Sequence, residues 1–293
     1  MIYSLHMPFY AYAWIASFSA ACIVITTKLT SKYSITNPWL FTFLWTFVIM
    51  VFTVPSSLAN HAGFPNDWSP IIIASIFSML WNVLYIKTMY LIDVSTLSPL
   101  FNFRTLFAVL LGALFLHENL TSYQVFLFFI IITAGMFASL DEKMNIKSFF
   151  KPSIFIGLSA MLVLALANAW IKIALVYNDV WTLNLWMSII TQALVLPTIP
   201  LFIKDVKKIN VSSILPVGIM GLFQTITNWA SNIAYGVNVG ITSLIMSVPL
   251  SMIAAFFLSL FLPKLLEKHT MKVYAIRFTA AFIMIIAALQ LSK

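Results

Sequence analysis

The strongest chemical signal in this chain is Arg104, a guanidinium set inside the apolar stretch Ser95 to Leu116. If that stretch is a helix, Arg104 lies about nine residues in, roughly 13 Å deep at 1.5 Å per residue. A charge held there in hydrocarbon costs at least about 2.5–3.5 kcal/mol, so it calls for a partner. No acidic residue shares its depth, because Asp93, Glu118 and Asp179 all fall at helix ends. The partner is then either an anionic solute or the backbone carbonyls freed by kinks at Pro99 and Pro249.

Polar side chains at helical spacing are the next candidates. Gln224, Asn228, Ser231 and Tyr235 recur at i, i+4, i+7 and i+11, with Asn232 alongside, and are expected to line a cavity because amides do not face lipid. Asn184, Ser188 and Thr191 repeat the pattern in another run, Trp81, Tyr85 and Thr88 share a face, and Asn168 and Lys172 form an i, i+4 pair. The competing reading of every stripe is hydrogen bonding between helices, worth about 0.6 kcal/mol on average. Lys28, Lys87 and Arg277 lie within about six residues of a helix end and are expected to snorkel to the interface. Trp39, Trp68 and Trp181 fit an interfacial aromatic belt. Glu118 and Glu267 each precede a helix by three residues, with Thr121 and Thr270 at the N-cap, so capping accounts for them.

The substrate-binding candidates are therefore Arg104, Trp81, Tyr85, Asn168, Lys172, Gln224, Asn228 and Ser231. Catalytic parts are missing from the sequence. It has no His-x-x-x-His, no paired intramembrane aspartates, no Gly-x-Ser-x-Gly and no Gly-rich phosphate loop. Neither an enzyme nor a cofactor or metal is expected. The lone Cys22 excludes a disulfide framework.

These residues need a lipid-embedded scaffold. The chain has 293 residues, 62% hydrophobic and 8% charged, with a mean hydropathy of +1.01, too little polar surface for a water-soluble globule. Apolar runs bounded by charge, Pro or Asn predict ten transmembrane helices: Pro8–Thr30, Pro38–Ser57, Pro70–Leu91, Ser95–Leu116, Thr121–Leu140, Pro152–Tyr177, Trp181–Ile203, Ser212–Tyr235, Ile241–Leu262 and Met271–Leu291. The first is expected to span rather than act as a cleaved leader, since Met1 to Met7 carries no Lys or Arg and the run is too long for a signal core. The expected fold class is an all-α integral membrane protein.

An internal repeat emerges when the halves are aligned. Pro8 matches Pro152, Pro55 matches Pro197, Pro70 matches Pro216 and Pro99 matches Pro249, at offsets of 144, 142, 146 and 150. Glu118 to Thr121 meets Glu267 to Thr270 at offset 149. Five helices per half is odd, so the second half must enter the membrane in the opposite sense. The expected domains are residues 1–141 and 152–293, two inverted five-helix repeats, with 142–151 as a cytoplasmic linker. Twelve lysines flank the loops after helices 1, 3, 5, 7 and 9, against Lys293 alone on the other side. The positive-inside rule then puts both termini outside. It also explains the net charge of +8 without nucleic acid, because these lysines face anionic lipid.

Within this frame, Ser95-Thr96-Leu97-Ser98-Pro99-Leu100, then Leu116-His117-Glu118-Asn119-Leu120-Thr121 and a small-residue fifth helix, resemble the drug/metabolite transporter superfamily in its ten-helix EamA-type branch. The resemblance implies a secondary transporter, an exporter or exchanger. Its substrate would be a small metabolite, anionic or carboxylate-bearing such as an amino acid, carried by alternating access through a central cavity. It implies a multi-pass protein of the inner or plasma membrane, with a small solute and membrane lipids as partners and a monomer or homodimer as the working unit. Two departures stand out. Relatives of this size keep both termini in the cytoplasm, and small multidrug relatives carry a first-helix Glu that neither Pro8–Thr30 nor Pro152–Tyr177 contains. Uniport or exchange is therefore expected rather than coupling through a midplane acid. A receptor or scaffold without transport, or a lipid scramblase, is the alternative.

Overall fold

The computed structural model describes residues 7–115, 121–140, 146–207, 209–237, 242, 245–246, 248–261 and 269–291. In chain order the α-helices are α1 (Phe9–Tyr33), α2 (Pro38–Ala59), α3 (Ser69–Leu91), α4 (Val94–Leu100), α5 (Phe103–Phe115), α6 (Ser122–Ala138), α7 (Pro152–Tyr177), α8 (Val180–Val195), α9 (Ile203–Val206), α10 (Val211–Val237), α11 (Leu250–Phe261) and α12 (Met271–Leu291). Short 3-10 turns cover Ile146–Phe150 and Leu196–Leu201, and no strand occurs among the described residues. Such a chain suits lipid, because each helix satisfies its own backbone polar groups.

Among the described residues, seven helical segments are long and apolar enough to cross a membrane: Phe9–Tyr33, Pro38–Ala59, Ser69–Leu91, Val94–Leu111, Pro152–Tyr177, Val180–Leu201 and Met271–Gln290. Ser122–Ala138 and Leu250–Phe261 are shorter apolar helices, and the 27-residue α10 carries the polar stripe. Multi-pass membrane architecture is thus present.

Local chemistry sets the helix ends. Asn37 caps α2 by accepting from the amides of Trp39 at 2.9 Å and Leu40 at 3.4 Å, with Pro38 at the first turn where its missing donor does no harm. Thr121 opens α6 in a capping box with Gln124. Asp179 caps α8 through the amides of Trp181 and Thr182. Burial pushes its carboxyl up, but the Thr182 hydroxyl and these amides outweigh that and hold it below the usual range.

The helices pack as α1 on α10, α3 on α7, α2 on α8 and α6 on α12, around a core that includes Phe41, Ile86, Leu97, Leu100, Ile131 and Met161. Glycine permits a further close approach, of α10 to α2. A Cβ on Gly221 of α10 would fall 2.3 Å from Val48 Cγ1 and 3.3 Å from the Val48 backbone carbon, so α10 and α2 touch where only hydrogen fits. Loops gather by end. Asn37 Nδ2 donates to Asp205 at 2.8 Å at one end, and Asn66 joins Asn178 and Tyr177 at 2.8 Å at the other.

One expectation needs correcting. The predicted continuous helix Ser95–Leu116 is broken after Leu100 and restarts at Phe103. Pro99 has no amide to continue the ladder, and the chain turns through tight bonds from the amide of Phe101 to Ser98 O at 3.3 Å and of Asn102 to Pro99 O at 3.1 Å. Leu116, the Glu118 to Leu120 stretch, Glu267 and much of the opening of the predicted Ile241–Leu262 helix lie outside the described residues.

Candidate functional site

Arg104 is the second residue of α5, just past the break. Its amide closes a turn onto Phe101 O at 3.1 Å, and its side chain is half-buried. Among the described residues its guanidinium has no hydrogen-bond or carboxylate partner. The carbonyl-tying role falls elsewhere: Asn102 Nδ2 donates to Pro99 O at 3.1 Å. Asn102 Oδ1 is left buried with no partner. The break thus places an unpaired cation and an unpaired acceptor within three residues.

An aromatic wall stands against this break. Trp81 and Tyr85 of α3 lie 4.8 Å apart, and Phe101 lies 6.2 Å from Trp81 and 6.4 Å from Tyr85. Trp45 of α2 closes the back at 5.5 Å from Tyr85. The Tyr85 hydroxyl and Trp45 Nε1 are buried without hydrogen bonds. Thr88, predicted on the same face, turns away: its Cγ2 is the atom that a Cβ on Gly157 of α7 would meet at 3.4 Å. Trp45, Phe101 and Asn102 were not singled out from the sequence. A tryptophan at mid-helix, far from either belt, and an aromatic and an amide between Pro99 and Arg104 were the available signals.

The stripe on α10 is real but closed on itself. Gln224 Nε2 donates to Asn228 Oδ1 at 2.8 Å, Ser231 Oγ donates to Asn228 O at 3.3 Å, and all three side chains are half-buried. Among the described residues none of these three bonds to another helix. The side chains of Tyr235 and Asn232 lie outside the description. One turn before Gln224, Met220 Sδ accepts from Thr27 of α1 at 3.7 Å, and Thr27 lies beside Tyr85, so α10 reaches the aromatic wall there.

The α8 stripe is different. Ser188 bonds to Leu185 O within its helix, Thr191 is buried and Asn184 half-buried, while the neighbouring Gln192 accepts from Thr46 of α2 at 2.6 Å. Helix-to-helix bonding fits α8. Asn168 and Lys172 are both exposed on α7 and meet neither the wall nor Arg104 among the described residues.

A charged cluster gathers where α1, α3, α4, α6 and α12 converge. Lys28 Nζ donates to Met89 O at 2.9 Å and Ile92 O at 2.7 Å, and His269 Nε2 lies 3.2 Å from Asp93 Oδ2. Arg277 corrects a second expectation. It does not snorkel but is 3% exposed, donating to Ser95 Oγ and, at 2.9 Å, to Leu140 O. The start of α12 is tucked beneath α4 and the end of α6, so proximity to a helix end is not proximity to water. Burial pushes the Asp93 carboxyl up, but the His269 bond and the charges of Lys28, His269 and Arg277 prevail and hold it below its ordinary value. No group of three or more His, Cys, Asp or Glu suited to a metal occurs among the described residues.

Comparison with known proteins agrees with this architecture. Residues 7–140 match the EamA-like transporter family, part of the drug/metabolite transporter superfamily, as the sequence resemblance implied. One solved crystal structure of a protein is similar with a TM-score of 0.59 at 14% identity, covering 97% of this chain and 96% of the other; this likeness concerns the fold alone. No curated protein matches.

Proposed function

We infer that this chain, with its EamA-like match over residues 7–140, is a ten-helix carrier that moves a small anionic or carboxylate-bearing metabolite by alternating access. The observation that carries the reading is Arg104: a half-buried guanidinium at a helix break with no protein partner among the described residues. A substrate carboxylate or phosphate supplies the missing charge. The wall of Trp81, Tyr85 and Phe101 shapes the rest of the solute, and Gln224, Asn228 and Ser231 offer hydrogen bonds from the other half. Asn168 and Lys172 belong to the access path rather than to this centre.

Helix pairing supports the inverted 5+5 plan, with residues 1–141 and 152–293 as its halves. Taking α4 and α5 as one interrupted span, the repeat equates α1 with α7, α2 with α8, α3 with α10, the α4–α5 span with α11, and α6 with α12. Exchanging equivalents turns the α1–α10 pair into α7–α3, and both pack. The pairs α2–α8 and α6–α12 turn into themselves, and both pack too. At the crossing of α4 and α11, Ser98 Oγ lies 2.6 Å from Ser251 Oγ, just before the matching proline in one case and just past it in the other.

The test is counterflow in proteoliposomes against a panel of radiolabelled amino acids, other carboxylates and phosphate monoesters. Exchange of at least one anion, unchanged by a protonophore because no midplane acid is available, is the expected result. No counterflow with any solute points to a scaffold, and equilibration of a fluorescent lipid instead points to a scramblase.

A further inference from the structure

Lys28 and Lys172 hold the same place in the two proposed halves, separated by 144 residues as Pro8 and Pro152 are. Their surroundings differ. Lys28 reaches from α1 onto the last carbonyls of α3, Met89 O at 2.9 Å and Ile92 O at 2.7 Å, where the helix dipole concentrates negative charge. The neighbouring Asp93–His269 contact and the bonds of Arg277 to Ser95 and Leu140 draw α4, α6 and α12 into the same knot. By the repeat, Lys172 on α7 would sit on the carboxyl end of α10. Instead it is exposed with no partner among the described residues, where α7 also makes no contact with α10 comparable to that of α1 with α3.

We propose that Lys28 is the latch that holds the lysine-rich end of the bundle shut in this conformer, and that Lys172 shuts the opposite end in the alternate conformer by seating on the carboxyl end of α10. This rests on the inverted-repeat carrier reading. Each lysine makes its charge-assisted bonds in one conformer only, so each biases the equilibrium toward the state in which its own end is closed.

Thiol reactivity tests both halves of the proposal in the purified full-length protein without any solute. In a Cys22→Ser background, Ser98→Cys places a reporter on α4 where it crosses α11, at a residue 5% exposed. Lys28→Met is expected to speed its modification by a soluble maleimide about tenfold or more, since two hydrogen bonds from a charged group are lost. Lys28→Arg restores protection. Lys172→Met acts in the opposite direction and slows modification, because it weakens the competing conformer. A second reporter, Ala174→Cys, at a fully buried α7 position, stays protected throughout. Unchanged reactivity in Lys28→Met, acceleration by Lys172→Met, or exposure of both reporters together overturns the latch. Opposite shifts in a protein with no counterflow keep the latch and discard the carrier; counterflow without the shifts discards the latch alone.

Discussion

Two arginines lie in the bundle in different surroundings, and the sequence misread one of them. Arg277 is spent on the protein, with its bonds to Ser95 and Leu140 made from a side chain 3% exposed. Removing it leaves buried acceptors without a donor, so Arg277→Met is expected to lower stability by about 3 kcal/mol, seen as a fall of several degrees in the apparent melting temperature. Arg104 has no hydrogen-bond or carboxylate partner among the described residues, which is why the proposed anion site is centred on it. Its depth remains the expectation set by the apolar run on both sides of it. Arg277 was misread because counting residues to a helix end says nothing of what covers that end.

At the scale of the element, hydropathy located the spans to within a few residues, as Pro152–Tyr177 and Met271–Leu291 show. It did not see the break between α4 and α5, because Phe101 and Phe103 keep the run apolar while the hydrogen bonds change. Pro99 was the only visible sign. The α10–α2 contact at Gly221 is equally invisible in hydropathy, yet it makes a prediction. Gly221→Ala must push α10 away from Val48 and is expected to cost about 1–3 kcal/mol, read as a lower melting temperature, whereas the change at Gly218, which has open space, costs far less. The charged knot predicts a pH effect. Asp93 is held below its ordinary value, so its contribution is present above the unfolded carboxylate pKa of about 3.9 and fades as pH falls through the lower folded value. Asp93→Asn should therefore melt below wild type at pH 7, with the gap closing under acid, as paired thermal melts across pH will record.

For the whole molecule, the lysine bias and the gathering of Asn37 with Asp205 agree that these loops share one end. In a Cys22→Ser background, an impermeant thiol reagent on intact cells should label Phe64→Cys, at a side chain 81% exposed, and spare Lys147→Cys. The reverse pattern would place both termini in the cytoplasm. Five ordered matches, four of them prolines, raised the expectation of an inverted repeat, and the α1–α10 and α3–α7 pairings are the kind of contact that plan would produce. The site was legible only where a charge or an amide interrupts the apolar background; the partnering of Trp45, Phe101 and Asn102 depends on how helices meet. The central claim is that Arg104 awaits an anion. It is tested most directly by the apparent melting temperature of wild type and Arg104→Gln, each with and without the carboxylate or phosphate that most stabilises wild type in a thermal-shift screen. A bound ligand raises the melting temperature of the folded state by mass action. The account predicts that Arg104→Gln, relieved of an unpaired half-buried charge, melts no lower than wild type when empty and loses the ligand-induced rise. An Arg104→Gln protein that melts lower when empty yet keeps the full rise contradicts it.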